Sequence, residues 1–351
     1  MVLLDAGIAA CAWKLNGIFG FTTCADALKA TGLALGACSC TMAYQCSGTA
    51  TDASDGRMPA FGDTRPRLVF PVGGIRETFA DLTAVTIESS EDTWEIESNL
   101  ALGHGAGGSV VLARGAFGAT AAVKTTFGDD ELRFLCMAQG HPHVIRLYEA
   151  LIIPESKAIH LVMQRLDGGD MESMLAARGR LEEPEASSMM GQVLSAVVWL
   201  HAMDVVHRDL KPANVGLEQP WDALCDGETV PMHVRLLDFG YAQQRLLLAG
   251  SKGTLLYACP EVILDRPLSA ALDVWSLGAV LYHMLSGRTP FESSRDNITK
   301  GRICAGKFAN IAHCSCEMRA LIRDMLRVDP ATRPSAESAL DAVAEIELQH
   351  M

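Results

Sequence analysis

Five polar residues crowd into one short apolar stretch. His207, Arg208, Asp209, Lys211 and Asn214 all lie within "VVHRDLKPANVGL", residues 205–217. Charge buried among valines and leucines is costly unless it is paired or put to use. Asp209 can take a proton from a hydroxyl, and Lys211 can neutralise an anionic group in transit. The Asn214 amide oxygen can help to hold a hard cation. An ion-paired structural turn would use the same residue types, so groups elsewhere in the chain must decide between the two. Asp238 in "LLDFGYA" is one such group. It follows an apolar strand, offers the hard carboxylate oxygen that Mg²⁺ prefers, and is followed by Gly240, which lets the chain turn away.

Two further features point toward phosphate. "LGHGAGGSVVLA" spaces Gly103, Gly105 and Gly108 as G-x-G-x-x-G. A dinucleotide-binding turn uses the same spacing but must run into a helix whose N-terminus holds the pyrophosphate. Here Ser109-Val110-Val111-Leu112-Ala113 continues as β-branched strand. The oxidoreductase reading fails on that continuation. The glycines belong instead to a turn between strands, either a plain structural hairpin or one whose missing side chains let backbone N–H groups approach phosphate. Lys124 in "AAVK" would ordinarily be a solvated strand-end charge. If held inside, it needs a carboxylate, and Glu131 on the following helical segment is the candidate.

The elements that must position these groups follow from periodicity. "SVVLAR" and "ATAAVKT" are strand-like about a turn at Gly115 to Gly118, and "VIRLYEALII" and "AIHLVMQRL" are strand-like again. "DDELRFLCMAQ" has helical spacing, with Asp129 as the expected N-cap. After residue 170 the pattern turns helical: "EEPEASSMMGQVLSAVVWLHAM" opens on Pro184, and "DVWSLGAVLYHMLSG" is apolar nearly all round. Strands first and helices later indicate an α+β chain of two lobes. The first fifty residues carry only Asp5, Lys14, Asp26 and Lys29 as charges, and residues 51–93 read as linker with little regular structure. No uninterrupted apolar run in those first fifty residues reaches the ~20 residues of a membrane-spanning helix.

Bulk composition narrows the classes further. At 351 residues, 49% apolar and 20% charged, the chain can bury a real core. A formal net charge of −13 argues against general nucleic-acid binding, which needs a basic surface. Eleven cysteines in no regular framework read as free thiols of a reducing compartment, hence a cytoplasmic protein.

Taken in order, G-x-G-x-x-G, A-V-K, Glu, H-R-D-L-K-P-x-N, D-F-G, P-E and D-V-W-S-L-G make the chain resemble a eukaryotic-type serine/threonine protein kinase from about Asn99 to Leu340. "HLVMQRLDGGD" and "RDMLRVDPATRPSAESAL" are most similar to the calcium/calmodulin-dependent group. The resemblance implies a bilobal fold over residues 94–348, with a small β-rich lobe to about 166, a helical lobe beyond it, and a poorly structured extension over 1–93. It implies ATP and Mg²⁺ as cofactors and Ser/Thr hydroxyls of proteins as acceptors. Leu102, Gly103, His104, Gly105, Ala106 and Gly107, then Gly108, Ser109 and Val110, would cover ATP. Ala122 would close over the adenine with Val110. Met163 would stand as gatekeeper, with Gln164 and Leu166 as hinge partners and Asp170 near the ribose. Lys124 would contact phosphate while pairing with Glu131. Asp209 would orient and deprotonate the acceptor, Lys211 would neutralise charge, and Asn214 and Asp238 would hold the metal. Glu261 is expected to pair with Arg333, and Asp273 to brace the catalytic loop. His207, Phe239, Leu135 and Leu147 match the apolar stack that links the lobes. Lys211 and Thr254 in "GTLLYACPE" resemble serine/threonine rather than tyrosine kinases.

The departures from the family pattern carry expectations of their own. Only seven positions separate Lys124 from Glu131 (131 − 124), so the helix carrying Glu131 must lack its first turns. With Gly107 in place of an aromatic, this motivates the alternative of a catalytically weak pseudokinase or nucleotide-binding scaffold. Gly216 replaces the apolar residue expected under the adenine, which should weaken ATP contact by about 1–2 kcal/mol. "EQPWDALCDGETVPMH" adds a long surface turn. Ser251 is the expected regulatory phosphosite, with Arg208 available to it. Ala213, Leu256 and His283 stand where arginine-selective relatives use carboxylates, so strong arginine selectivity is not expected. No calmodulin-binding segment is evident.

Overall fold

Strand-forming residues fill the first part of the domain because they alternate between faces of a sheet. The computed structural model describes residues 67–69, 84–88, 93–105, 108–115, 118–153, 157–221, 232–248, 250 and 254–350. In chain order the small lobe contains β1 Arg67–Val69, β2 Ala84–Glu88, β3 Thr93–Gly105, β4 Gly108–Arg114, β5 Thr120–Phe127, α1 Asp129–Ala138, β6 Leu147–Ile153 and β7 Ala158–Gln164. These strands form one sheet in the order β1-β6-β7-β5-β4-β3-β2. β5 lies centrally, and its residues from Ala121 to Lys124 are buried without alternation, as a strand covered on both faces must be. One face packs Trp94, Ile96, Ala121 and Val123 into a small cluster of its own. The other meets α1, whose Leu132, Phe134 and Leu135 join the main core.

Sequence periodicity located these strands well, with three differences. β1 pairs parallel to β6 and β2 pairs antiparallel to β3, so the 51–93 stretch contributes backbone to the sheet at two places. The rest of residues 1–93 up to Thr93 lies outside the described residues. Asp129 is the first residue of α1 and not its cap. Gly128 takes the cap position at φ 103° and offers no side-chain hydrogen bond, so three acidic residues in the first turn are left to meet the helix dipole. Val144 to Arg146 make only a bridge, from Val144 to Leu236, and β6 starts at Leu147.

The large lobe is built from α2 Met171–Arg178, α3 Glu183–Ala202, α4 Pro260–Ile263, α5 Ala271–Ser286, α6 Asp296–Ala305, α7 Cys316–Met325 and α8 Ala336–His350. Between α3 and α4 run the short strands β8 Val205–Val206, β9 Val215–Leu217, β10 Val234–Leu236 and β11 Gln243–Gln244. β9 pairs with β10 and β8 with β11, both antiparallel. Pro184 stands in the first turn of α3, where its missing N–H costs nothing. α5 is buried from Leu272 to Leu285 at all but one position, as an all-round apolar helix requires.

Arg333 and Glu261 tie this lobe together. The guanidinium donates to Glu261 Oε1 and Oε2 at 2.6 and 2.8 Å and to the carbonyls of Arg327, Ala271 and Val328. All five of its donors are thereby engaged. Its face lies 4.9 Å from the Trp275 ring centroid, and the side chain is fully buried. Truncating one partner leaves the other charge buried and unpaired. Glu261→Ala or Arg333→Ala is therefore expected to lower unfolding free energy by about 3–5 kcal/mol, and Arg333→Lys should not restore it, since a lysine cannot make the fork. Urea unfolding measures both; a wild-type midpoint in either alanine variant would refute the assignment.

Candidate active site

Lys124 stands at the centre. β5 carries it beside Val110 of β4 in register, and its ammonium is 2.6 Å from Glu131 Oε1 and 2.8 Å from Asp238 Oδ1. The seven-residue spacing that casts doubt on the first contact proves sufficient. β5 ends at Phe127, Gly128 alone makes the connection, and Glu131 falls in the first turn of α1 facing back toward the strand. Gly108 has a related constraint at φ 125°: a Cβ there would come within 2.8 Å of the Thr125 carbonyl, so β4 can cross β5 this closely only without a side chain.

The charges in this cluster perturb one another. Burial works against the Lys124 ammonium, but Glu131 and Asp238 together hold its pKa above the usual lysine value. Burial pushes Glu131 up, with Lys124 pulling against it. Burial would also raise Asp238, but the charge and hydrogen bond of Lys124, helped by the Gly240 N–H, hold it below the usual aspartate value. Asp238 is thus the partner that stays ionised most firmly.

The polar stretch at 207–214 is held from beneath. Asp273, wholly buried on α5, accepts the N–H of His207 at Oδ2 and of Arg208 at Oδ1, both at 2.9 Å. His201 Nε2 lies 2.9 Å from Oδ2 as well. His207 Nε2 meets the Leu237 carbonyl at 2.9 Å, and its ring lies 5.2 Å from that of Phe239. With Leu135 and Leu147, these two rings are buried in one continuous core. Arg208 and Asp238 adopt left-handed φ values of 71° and 57°, strained for residues with side chains and sustained by this bracing.

Asp209, buried on the same stretch, is held by three side chains. Lys211 Nζ donates to its Oδ2 at 2.8 Å, Asn214 Nδ2 donates to the same oxygen at 3.0 Å, and Thr254 Oγ1 lies 3.3 Å from Oδ1. Lys211 also reaches Thr254 Oγ1 at 3.1 Å. Because Asn214 spends its amide N–H groups on Asp209, its Oδ1 is left as an acceptor. Asp238 likewise engages Oδ1 alone in the described contacts. These two hard oxygens on adjacent strand ends suit Mg²⁺, which takes few protein ligands and completes its shell with phosphate and water. Among the described residues no group of three or more His, Cys, Asp or Glu could hold a metal ion.

The structure accounts for the other expected residues unevenly. Ala122 is buried opposite Met163 in the β5–β7 register. Gln164 N–H donates to the Arg146 carbonyl at 2.8 Å, at the end of β7. Asp170 Oδ1 caps α2 through the Ser173 N–H, and Asp170 bridges Gly216. Leu102 is exposed on β3, and Ser109 and Val110 lie on β4. Gly103, His104 and Gly105 are placed by backbone alone, at the end of β3. Ala106, Gly107, Ser251 and most of the inserted 218–233 turn lie outside the described residues. Arg208 donates to the Gly250 carbonyl at 2.7 Å, beside the Ser251 position. The room that Gly216 leaves is filled: a Cβ there would stand 2.3 Å from Leu166 Cδ1. His201 and Gln139 escape a reading of motifs. His201 acts only through a residue 72 positions away, and Gln139 binds the carbonyls of Leu135 and Ile145 and the N–H of Leu147. Neither carries a local signal.

The protein kinase domain model matches residues 96–343 of this chain. The chain belongs to that family. The kinase domain is 33% identical over 254 residues to sperm motility kinase 2B of Mus musculus, covering 68% of this chain and 49% of that protein. It is 36% identical over 207 residues to the SNF1-related protein kinase catalytic subunit alpha KIN12 of Arabidopsis thaliana, covering 58% and 38%. To ribosomal protein S6 kinase alpha-6 of Danio rerio it is 34% identical over 225 residues, covering 60% and 29%. The chain therefore spans less than half the length of these relatives.

The lowered pKa of Asp238 predicts a loss of stability in acid. A carboxylate held below its unfolded value contributes stability that is complete above the ordinary aspartate value near 3.8 and is lost as pH falls through the folded one. Lys124, raised, contributes stability that is complete at neutral pH and is lost only in strong alkali. Asp238→Asn should therefore flatten the decline in unfolding free energy between about pH 5 and 3. Urea titrations across that range check it, and parallel slopes for the two proteins would count against the assignment.

Proposed function

We propose that this chain is an ATP-dependent serine/threonine protein kinase that transfers the γ-phosphoryl group of Mg-ATP to Ser or Thr hydroxyls of proteins. The single observation that carries the reading is the Lys124–Asp238 contact at 2.8 Å, made across 114 residues of chain. A structural ion pair has no need to join a strand lysine to the aspartate of the D-F-G motif. The Lys124–Glu131 pair at 2.6 Å supports an active kinase over a pseudokinase.

In this reading Asp209 Oδ1 and Oδ2 face the acceptor. The hydroxyl oxygen bonds to phosphorus, its proton passes to Asp209, and the bond to ADP breaks. Lys211, already beside Asp209, neutralises the charge that builds on the transferred group. Asn214 Oδ1 and Asp238 hold Mg²⁺, which supplies the positive charge that phosphate oxygens need. Lys124 contacts the α- and β-phosphates, kept in place by Glu131. The turn from Leu102 to Val110 covers them, and Ala122 and Val110 lie over the base. Thr254, bonded to both Asp209 and Lys211, supports the serine/threonine assignment.

The motifs at 160–170 and 323–340 support a likeness to the calcium/calmodulin-dependent group. Tyr257 Oη lies 3.0 Å from His283 Nδ1, a neutral contact that supports weak selectivity for arginine. The free cysteines of the described residues support a cytoplasmic setting. No helix among the described residues is long and apolar enough to cross a membrane. Ser251 is the proposed regulatory site, with Arg208 as its phosphate partner.

Asp209→Asn is expected to lower phosphate transfer from ATP to a generic Ser/Thr protein substrate by about 10²–10³-fold or more while Mg-ATP binding stays near wild type. Radiolabel incorporation and nucleotide calorimetry measure the two. Equal incorporation by both proteins, or none by either despite binding, would overturn catalysis and leave a scaffold.

A further inference from the structure

Gly216 has no backbone reason to be glycine. Its φ is not in the left-handed region, unlike that of nine other described glycines. What excludes a side chain there is another side chain. A Cβ at 216 would meet Leu166 Cδ1 at 2.3 Å and the two Leu237 methyls at 3.1 and 3.4 Å. Apolar carbons rest about 3.5–4.0 Å apart, so Leu166 occupies the very volume that a side chain on β9 would claim.

The backbone around Leu166 fixes it there. Past β7 the chain folds back along β9: the Gly168 N–H donates to the Leu217 carbonyl at 3.0 Å, and the Leu217 N–H donates to the Gly169 carbonyl at 2.9 Å. Asp170 then bridges Gly216 itself. Gly168 approaches so closely that a Cβ on it would come within 2.1 Å of the Gln219 carbonyl oxygen. Leu166 and Leu237 are both partly buried against the edge of the main core. Gly216 follows Asn214 by two residues, and Leu237 precedes Asp238 directly. The apolar patch therefore adjoins the two oxygen donors assigned to the cation.

We infer that Leu166 is the residue that forms the floor for the nucleotide base, its side chain reaching from the segment after β7 into the space that Gly216 leaves open. The inference rests on the Mg-ATP reading above. The loss of contact expected from a glycine at 216 is thereby made good by Leu166 with Leu237 beside it. The two positions act as a matched pair, one large and one small. A large residue at 216 drives Leu166 up into the base site; a small one at 166 leaves a hole beneath the base. Changing both together returns the same filled volume.

The test is a double-substitution cycle on the full chain, with Mg-ATP affinity read by calorimetry and KM and kcat read by phosphate transfer. Gly216→Leu and Leu166→Ala should each weaken Mg-ATP binding and raise its KM about tenfold, with kcat changed less than about threefold. The combined Gly216→Leu/Leu166→Ala protein should return to within about threefold of wild type. A role confined to folding would shift melting temperature without this reversal in affinity. Gly216→Ala, a smaller intrusion, keeps the test open should Gly216→Leu not fold: its affinity should fall in part and recover with Leu166→Ala. If either single leucine-site variant binds as wild type, or the double variant binds no better than the weaker single, the inference falls and the nucleotide reading stands. If wild type binds no Mg-ATP, both fall.

Discussion

One ammonium group holds the cleft in order. Lys124 lies on the central strand of the sheet, Glu131 on the helix packed against it, and Asp238 on the far side, in the large lobe. Three elements that share no local sequence are joined at a single nitrogen. An ion pair withdrawn from water returns little net stability, because desolvation consumes most of the attraction. What it gives is position, since each carboxylate has one low-energy place to be. Burial has already excluded the alternatives for Lys124 and Glu131, whereas Asp238 remains a third exposed and so keeps an oxygen for other use.

A second buried charge does similar work from below. Asp273 gathers two consecutive backbone N–H groups and the His201 ring, and that fixes a turn whose Arg208 sits at a φ no arginine would choose alone. Strain there is tolerable because α5 is buried almost all round and does not yield. The consequence is that the stretch proposed as catalytic is braced from below. Asp209, Lys211, Asn214 and Thr254 already interlock, so little ordering is left to be done on binding.

Much of this was legible in the sequence, and for a physical reason. Asp209, Lys211 and Asn214 sit close together in one turn, so their spacing reports their geometry. Strand and helix periods placed β4, β5, β7, α3 and α5 nearly to the residue. Contacts between distant segments were legible only through the resemblance, as with Glu261 and Arg333. Where the chain departs from the family, spacing misled. Seven residues looked too few for Lys124 to meet Glu131, because the count could not show that a single glycine would suffice as the connection. Gly216 looked like missing surface, because composition at one position says nothing of a neighbour's rotamer. Asp129 failed as a cap because Gly128 was free to take the left-handed turn. The pairing of β1 and β2 with the sheet had no signal in a segment rich in Thr, Asp, Gly and Pro.

The Gly128 link has a mechanical meaning. Helices tethered by long loops can swing through an arc; one joined to its strand by a lone residue pivots about a single point. Glu131, three residues past that pivot, can travel only a short way from the strand that carries its partner. Withdrawal of this carboxylate is therefore a poor means of turning the molecule off. The control proposed at Ser251 would act instead through the segment beyond Asp238, where Arg208 bonds the Gly250 carbonyl.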